Sequence, residues 1–489
     1  VRSAALLLGL AACGGGGSAA PAPPTSALAF TDGTAAAGLD VFRHRNGTPE
    51  NRTIDESFGA GVALFDADGD GDLDAFFANG DGPDAYFEND GAGRFSERTA
   101  EVGLGDETWS YGALARDVDG DGDTDLYLTN RGPNRLYENR GGTFVDVAAE
   151  RGVADPRWSS GACFLDYDRD GDLDLYVANH IELDKAAAAE RSQDFFGLEV
   201  YDGPLGLEAQ ADALYRQEAD GTFRDVSSEV GIDGAAYFSF HVVAFDWDGD
   251  GWQDLYVAND STPNLLWHNQ AGAGFVDVAG PNGVALSVAG DPQAGMGVAL
   301  GDANGDGRAD LYVTNFSEDY FTLYQGLDGG RFRDATAPSG LYRVTLASLG
   351  WGAVFEDLDA DGDQDLFVAN GHVFPQVDQL ERNTRYRQRN QLFENGGVGV
   401  FRVPDGAGGP GLELEAASRG LAVGDVDGDG DRDLLVGNLD GPPTLLLNES
   451  TSGNALVLEL VGAAPNRDAL GARVEARAGQ RTLTRTVGD

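Results

Sequence analysis

A nine-residue unit, Asp66-Ala67-Asp68-Gly69-Asp70-Gly71-Asp72-Leu73-Asp74, returns six more times, beginning at Asp117, Asp166, Asp246, Asp302, Asp357 and Asp425. Every copy has an acid at the first, fifth and ninth places and Gly at the sixth. The third place is Asp in all copies but one, where it is Asn304. Two unit charges about 5 Å apart repel by roughly 3 kcal/mol at an effective dielectric near 20. A loop holding four of them therefore closes around a cation. Oxygen donors without Cys or His, and a Gly for the sharp turn, describe Ca²⁺ better than Zn²⁺ or another transition metal.

Side-chain oxygens are assigned to the first, third, fifth and ninth places and a backbone carbonyl to the seventh. The expected ligands of the first three loops are Asp66, Asp68, Asp70 and Asp74 with the carbonyl of Asp72; Asp117, Asp119, Asp121 and Asp125 with Asp123; and Asp166, Asp168, Asp170 and Asp174 with Asp172. The fourth and fifth use Asp246, Asp248, Asp250 and Asp254 with Trp252, and Asp302, Asn304, Asp306 and Asp310 with Arg308. The last two use Asp357, Asp359, Asp361 and Asp365 with Asp363, and Asp425, Asp427, Asp429 and Asp433 with Asp431. Up to seven Ca²⁺ ions are expected. An EF-hand would need a bidentate Glu at the twelfth place and flanking helices. Here the twelfth places are Phe77, Leu128, Val177, Val257, Val313, Val368 and Val436, inside β-rich runs, so each loop joins two strands.

The repeat unit reads as four short strands. Around the second loop, Gly112-Ala113-Leu114-Ala115 enters, Asp125-Leu126-Tyr127-Leu128-Thr129 leaves, and Asn134–Asn139 and Thr143–Val147 follow turns. Four-stranded units in tandem predict an all-β fold, a seven-bladed β-propeller over residues 28–450. The last unit lacks its fourth strand, and Leu28-Ala29-Phe30-Thr31-Asp32 at the other end matches the missing piece. The N-terminal strand is thus expected to complete the last blade and remove a free sheet edge. Five residues before each first Asp stand Gly61, Gly112, Gly161, His241, Gly297, Gly352 and Gly420. Small residues there suit inner strands crowded around a channel. His241 breaks the pattern, as a packed hydrogen-bonded residue or as a channel-facing group.

Two units carry insertions, one from His180 to Leu214 and one from Gly371 to Arg389, the latter with Arg382, Arg385, Arg387 and Arg389 as a basic patch. Long loops on a rigid scaffold are where binding usually resides. The net charge of −49, from 82 acids against 33 bases, excludes nucleic acid and anionic membrane surfaces as partners.

The N-terminus reads as an export signal: Arg2, an apolar run from Ala4 to Ala12 too short to span a bilayer, then Cys13. Leu10-Ala11-Ala12-Cys13 resembles the lipobox of bacterial lipoproteins. Residues 1–12 are accordingly a signal peptide, Cys13 a lipidation site and 13–27 a flexible tether. The expected location is the cell envelope, lipid-anchored at the outer membrane or cell surface, with the membrane contacted through the anchor alone. With Cys13 lipidated, Cys163 is left without an intramolecular disulfide partner. Residues 451–489 change character, with an alternating strand at 454–462 and no acidic loop, and read as the opening of a small β domain.

The seven loops resemble FG-GAP/VCBS repeats. Together with Asn370-Gly371-His372-Val373, Tyr201-Asp202-Gly203-Pro204 and Asn466-Arg467-Asp468-Ala469-Leu470-Gly471-Ala472, the chain resembles bacterial relatives of the cartilage acidic protein family, which carry an ASPIC/UnbV domain after the propeller. Asp202 stands where relatives commonly have Cys. The resemblance implies an exported calcium-binding propeller and no catalytic residue set. The expected function is a monomeric, surface-anchored binding or adhesion module for an extracellular glycan or protein. The alternatives are a propeller lyase or hydrolase, for which His241 and His372 are the candidate groups, and an envelope assembly factor.

Overall fold

A computed structural model describes residues 4–10, 28–105, 107–234, 236–450, 454–463, 466–478 and 481–487. Cys13 and the 13–27 tether lie outside the described residues. Seven four-stranded antiparallel sheets follow one another around a ring. The second blade shows the plan: Ser110–Arg116, the acidic loop, Asp125–Asn130, Arg135–Asn139 and Phe144–Asp146, each strand pairing with the next. Second strands such as Leu126-Tyr127-Leu128 are fully buried because both faces of an inner strand meet neighbouring blades. A Phe at the first or second place of each outer strand, from Phe95 to Phe401, is buried between blades.

The last sheet consists of Ser418–Gly424, Asp433–Asn438, Thr444–Asn448 and the N-terminal Phe30–Asp32. Phe30 pairs with Asn448 and Asp32 with Leu446, and the Ala29 N–H donates to Ser450 Oγ at 3.1 Å. The ring is closed by the strand predicted to close it.

First strands line the channel so tightly that a Cβ on Gly61 would sit 2.3 Å from the Tyr111 carbonyl of the next blade, and one on Gly297 2.0 Å from that of Trp351. Glycine is the residue that permits this approach. At the fourth blade the odd residue finds its own solution. His241 Nδ1 accepts the Val298 N–H of the fifth blade at 3.0 Å, and although its ring reaches the channel, burial pushes its pKa down to about 4.

Because each acidic loop joins a first strand to a second, all seven lie on one face of the ring. The insertions join second to third strands and lie on the other. There, residues 43–58 and the two insertions interlock: Asn51 Nδ2 donates to the Val373 carbonyl at 3.0 Å, and the Tyr201 hydroxyl donates to Ser57 Oγ at 2.7 Å. Phe58 stops the channel, stacked on Phe240 at 4.9 Å and edge-on to Tyr111, Trp158 and Trp351. The first insertion contains a short helix at Lys185–Ala188, with Asp184 as its N-cap.

The remaining described residues form two-stranded pairs. Ala4–Leu10 pairs antiparallel with Asn454–Leu460, and Arg473–Ala478 with Arg481–Thr486. The latter hairpin rests on the acidic-loop face, where Leu470 and Val487 pack with Val118 and Phe164. Cys163 is buried and is in no disulfide among the described residues. No helix among the described residues is long and apolar enough to cross a membrane.

Candidate metal centres

Each acidic loop is drawn tight by its own first Asp. In the first loop Asp66 Oδ1 accepts the Gly69 N–H at 2.7 Å and Oδ2 the Gly71 N–H at 3.1 Å; Asp117 does the same for Gly120 and Gly122 in the second. The sixth-place glycines all have left-handed backbones, with φ from +84° at Gly307 to +101° at Gly71, where a Cβ is strained. The fourth place is also left-handed. It is Gly in five loops, but Arg169 and Ala360 adopt φ of +60° and +54°, a requirement that sequence reading had not marked.

Carboxylate oxygens of Asp66, Asp68 and Asp70 lie within 4.8 Å of one another. So do those of Asp117, Asp119 and Asp125, of Asp166, Asp168 and Asp174, and of Asp246, Asp248 and Asp254. Ca–O bonds of about 2.3–2.6 Å let one ion touch all three oxygens of such a set. The ninth Asp of each loop is buried and braced, as where Asp125 Oδ1 accepts the Asn139 N–H and Oδ2 the Val118 N–H, at 2.8 and 2.9 Å. Burial first, and then the neighbouring loop carboxylates, pushes the pKa of Asp125 up to about 8, of Asp174 to about 9 and of Asp254 to about 8. A buried carboxylate pushed this way calls for a counter-charge, and a hard divalent cation supplies it. The donor sets of the first four loops therefore fit Ca²⁺. The sixth and seventh repeat the five-Asp pattern, with Asp365 raised well above the carboxylate range and Asp433 to about 7. The fourth loop adds an imidazole, with His268 Nε2 at 3.3 Å from Asp248 Oδ2.

The loops are also tied to one another. Asn139, at the end of the second blade's third strand, donates from Nδ2 to the Thr124 carbonyl of its own loop and to the Ala67 carbonyl of the first loop. Asn89, Asn269, Asn395 and Asn448 bridge adjacent loops in the same way, and Gln217 reaches Val118. The fifth blade has Gly326 at this place. These clamps went unread in the sequence, although an Asn one place after Glu88, Glu138, His268 and Glu394 is visible there.

A pattern of the FG-GAP-like repeat matches residues 66–128, 117–177, 193–257, 246–313 and 302–368, more than half of the chain. The chain belongs to the FG-GAP-like repeat family. Cartilage acidic protein 1 of Homo sapiens is 26% identical over 399 residues, covering 77% of this chain and 55% of that protein. The Mus musculus protein of the same name is 26% identical over 397 residues, covering 77% and 57%. The chain thus spans about half the length of these curated relatives. Among solved structures, an Agrocybe aegerita lectin described as recognising non-reducing terminal N-acetylglucosamine shows 14% identity and a TM-score of 0.41, over 83% of this chain and 98% of that one. A superposition that loose supports no further comparison.

The candidate acid/base residues of this FG-GAP protein are engaged in the scaffold. His372 is fully buried, its Nδ1 accepting the Phe374 N–H and its Nε2 lying 3.0 Å from Ser317 Oγ. Burial and then the Arg419 charge push its pKa down to about 3. His241 holds Val298 as described above, more than 50 residues along the chain from its partner. Asp202 pairs with Arg191 at 2.6 Å. All four arginines of the basic patch are exposed; Arg382 pairs with Glu318, Arg389 approaches Glu415 at 3.7 Å and Arg385 donates to the Arg382 carbonyl at 2.9 Å. Arg419, which no sequence signal marked, pins the insertion face. Buried, it donates to the carbonyls of Ser57, Gly371, Ser418 and His372 and lies 3.9 Å over Trp351. Burial lowers its pKa to about 10, so it stays charged at neutral pH.

Proposed function

We propose that this FG-GAP protein is a calcium-stabilised binding module whose ligand, an extracellular glycan or protein, docks on the insertion face. The observation that carries this reading is the division of labour between the faces. The acidic loops occupy one, while residues 43–58 and both insertions build a rigid cap over a stopped channel on the other. On that cap Phe196 is 48% exposed with the Arg382 guanidinium 3.6 Å over its ring, and Leu205 is 61% exposed beside the Arg191–Asp202 pair. An aromatic face backed by a cation suits a sugar ring or a planar side chain. Calcium then acts at a distance from the ligand, holding the blades that hold the cap. The same reading makes the protein a monomer of the cell envelope, exported by residues 1–12 and held by a lipid on Cys13.

The test is capture on a glycan and extracellular-protein array in calcium and again in chelator, with bound material weighed for cleavage. Calcium-dependent capture of intact ligand, weakened at least tenfold by Phe196→Ala with Arg382→Ser, supports the reading. Capture unaffected by the double substitution removes the insertion face from it, and shortened products replace binding with an enzymatic function.

A further inference from the structure

We propose that the fifth loop, residues 302–310, is closed by its own arginine in place of a metal ion, so that the protein has six calcium sites and not seven. This rests on the calcium reading of the other loops and deepens it.

The fifth loop differs from the rest in two side chains that act together. Its third place is Asn304 and its seventh Arg308, so it carries three carboxylates where the first loop carries five. Both oxygens of the fifth-place carboxylate are then taken from inside the loop. Asp306 Oδ2 accepts from Asn304 Nδ2 at 2.9 Å and from Arg308 Nη2, while Oδ1 accepts the Arg308 N–H at 3.0 Å. In the first loop Asp70 Oδ1 likewise accepts the seventh-place N–H, at 2.9 Å, but the third and seventh places are Asp68 and Asp72, whose carboxylates have no donor to offer Oδ2.

The same guanidinium replaces the missing clamp. Gly326 stands where five other blades have Asn, and a Cβ there would lie 2.4 Å from the Ala309 carbonyl. Arg308 spans the gap from the loop side: Nε donates to the Gly326 carbonyl at 3.2 Å and Nη1 to Asp328 at 3.0 Å. One side chain thus sets a positive charge against Asp306 and ties the loop to the third strand, as an asparagine would. Two further cations come from the C-terminal hairpin. Arg473 Nη2 donates to the Gly307 carbonyl at 3.0 Å, and Arg485 lines one cavity with Asp302 and Asn304. Arg308 thus bonds a carboxylate of the loop, whereas Arg473 bonds a loop carbonyl and pairs with Glu475. A calcium ion entering this loop would have to displace Arg308 from Asp306 and then face the two arginines of the hairpin.

Native mass spectrometry of the full chain in increasing calcium counts the ions directly, with isothermal titration as a second count. The expected result is six for the wild type and seven for Asn304→Asp with Arg308→Ser, while Asp306→Asn leaves six and Asp121→Asn in the second loop leaves five. Seven ions on the wild type, or a count lowered by Asp306→Asn, overturns the proposal while leaving the calcium reading intact. A wild type that takes up no calcium overturns both.

Discussion

Asn139→Ala cuts one of the ties between acidic loops without touching a ligand. The buried amide makes three hydrogen bonds: to the Ala67 carbonyl at 2.7 Å, to the Thr124 carbonyl at 3.0 Å, and from the Gly142 N–H at 2.8 Å. The Ala67 carbonyl is buried, so losing its partner costs about 1–3 kcal/mol, and the two part-buried groups, which water can reach, each forfeit roughly 0.5–1 kcal/mol. The sum is a destabilisation of about 2–5 kcal/mol. It is read by urea denaturation at saturating calcium, comparing midpoints at equal slope so that stability and not compactness is compared. Asn139→Asp, of the same shape without the donors and with a charge added beside the loop carboxylates, is expected to lose at least as much. A loss below about 1 kcal/mol for both variants would refute the idea that loop-to-loop amides hold the ring.

Chelation is expected to lower the melting temperature steeply, since each site contributes about 2.7 kcal/mol when free calcium is a hundred times its dissociation constant; a melting temperature indifferent to chelator would remove calcium from the structural account. Gly71→Ala places a side chain at φ +101°, where there is open space around the Cβ but the backbone is strained, and it should cost about 1–2 kcal/mol and weaken calcium at the first loop, as a titration of the variant would show. Acid should destabilise the protein through its buried imidazoles. His44, His180 and His372 are held at about 3, 4 and 3 by burial, so their contribution is complete above the unfolded value near 6.5 and is lost as pH falls toward 3–4. Each contributes a slope of about 1.4 kcal/mol per pH unit inside that window, and His372→Gln is expected to flatten the measured pH dependence by about that amount; an unchanged slope would show that His372 takes up no proton on unfolding.

The sequence by itself determined the blade count, the position of every acidic loop, the all-β class and the strand exchange that closes the ring. These follow from periodic local rules: an acid spacing that repeats seven times, a Gly where the turn demands a left-handed backbone, and a strand pattern missing at one end and present at the other. What it could not determine lies between residues far apart in the chain. Asn139 clamping the loop at Ala67, Arg419 reaching Ser57 across 362 positions, and Phe58 stopping a channel built from four other blades are contacts made only once the ring has closed. For the same reason His241 and His372, which stood out in the sequence as possible chemistry, became a strand-to-strand tie and a buried cap residue. Arg308 looked like a harmless occupant of a variable place because only its carbonyl was assigned a role. Its guanidinium takes its meaning from Gly326 and Asp328, which the third strand delivers to it through the fold. Local spacing sets where a loop can bind an ion; the neighbours that the fold brings to it decide whether an ion is needed.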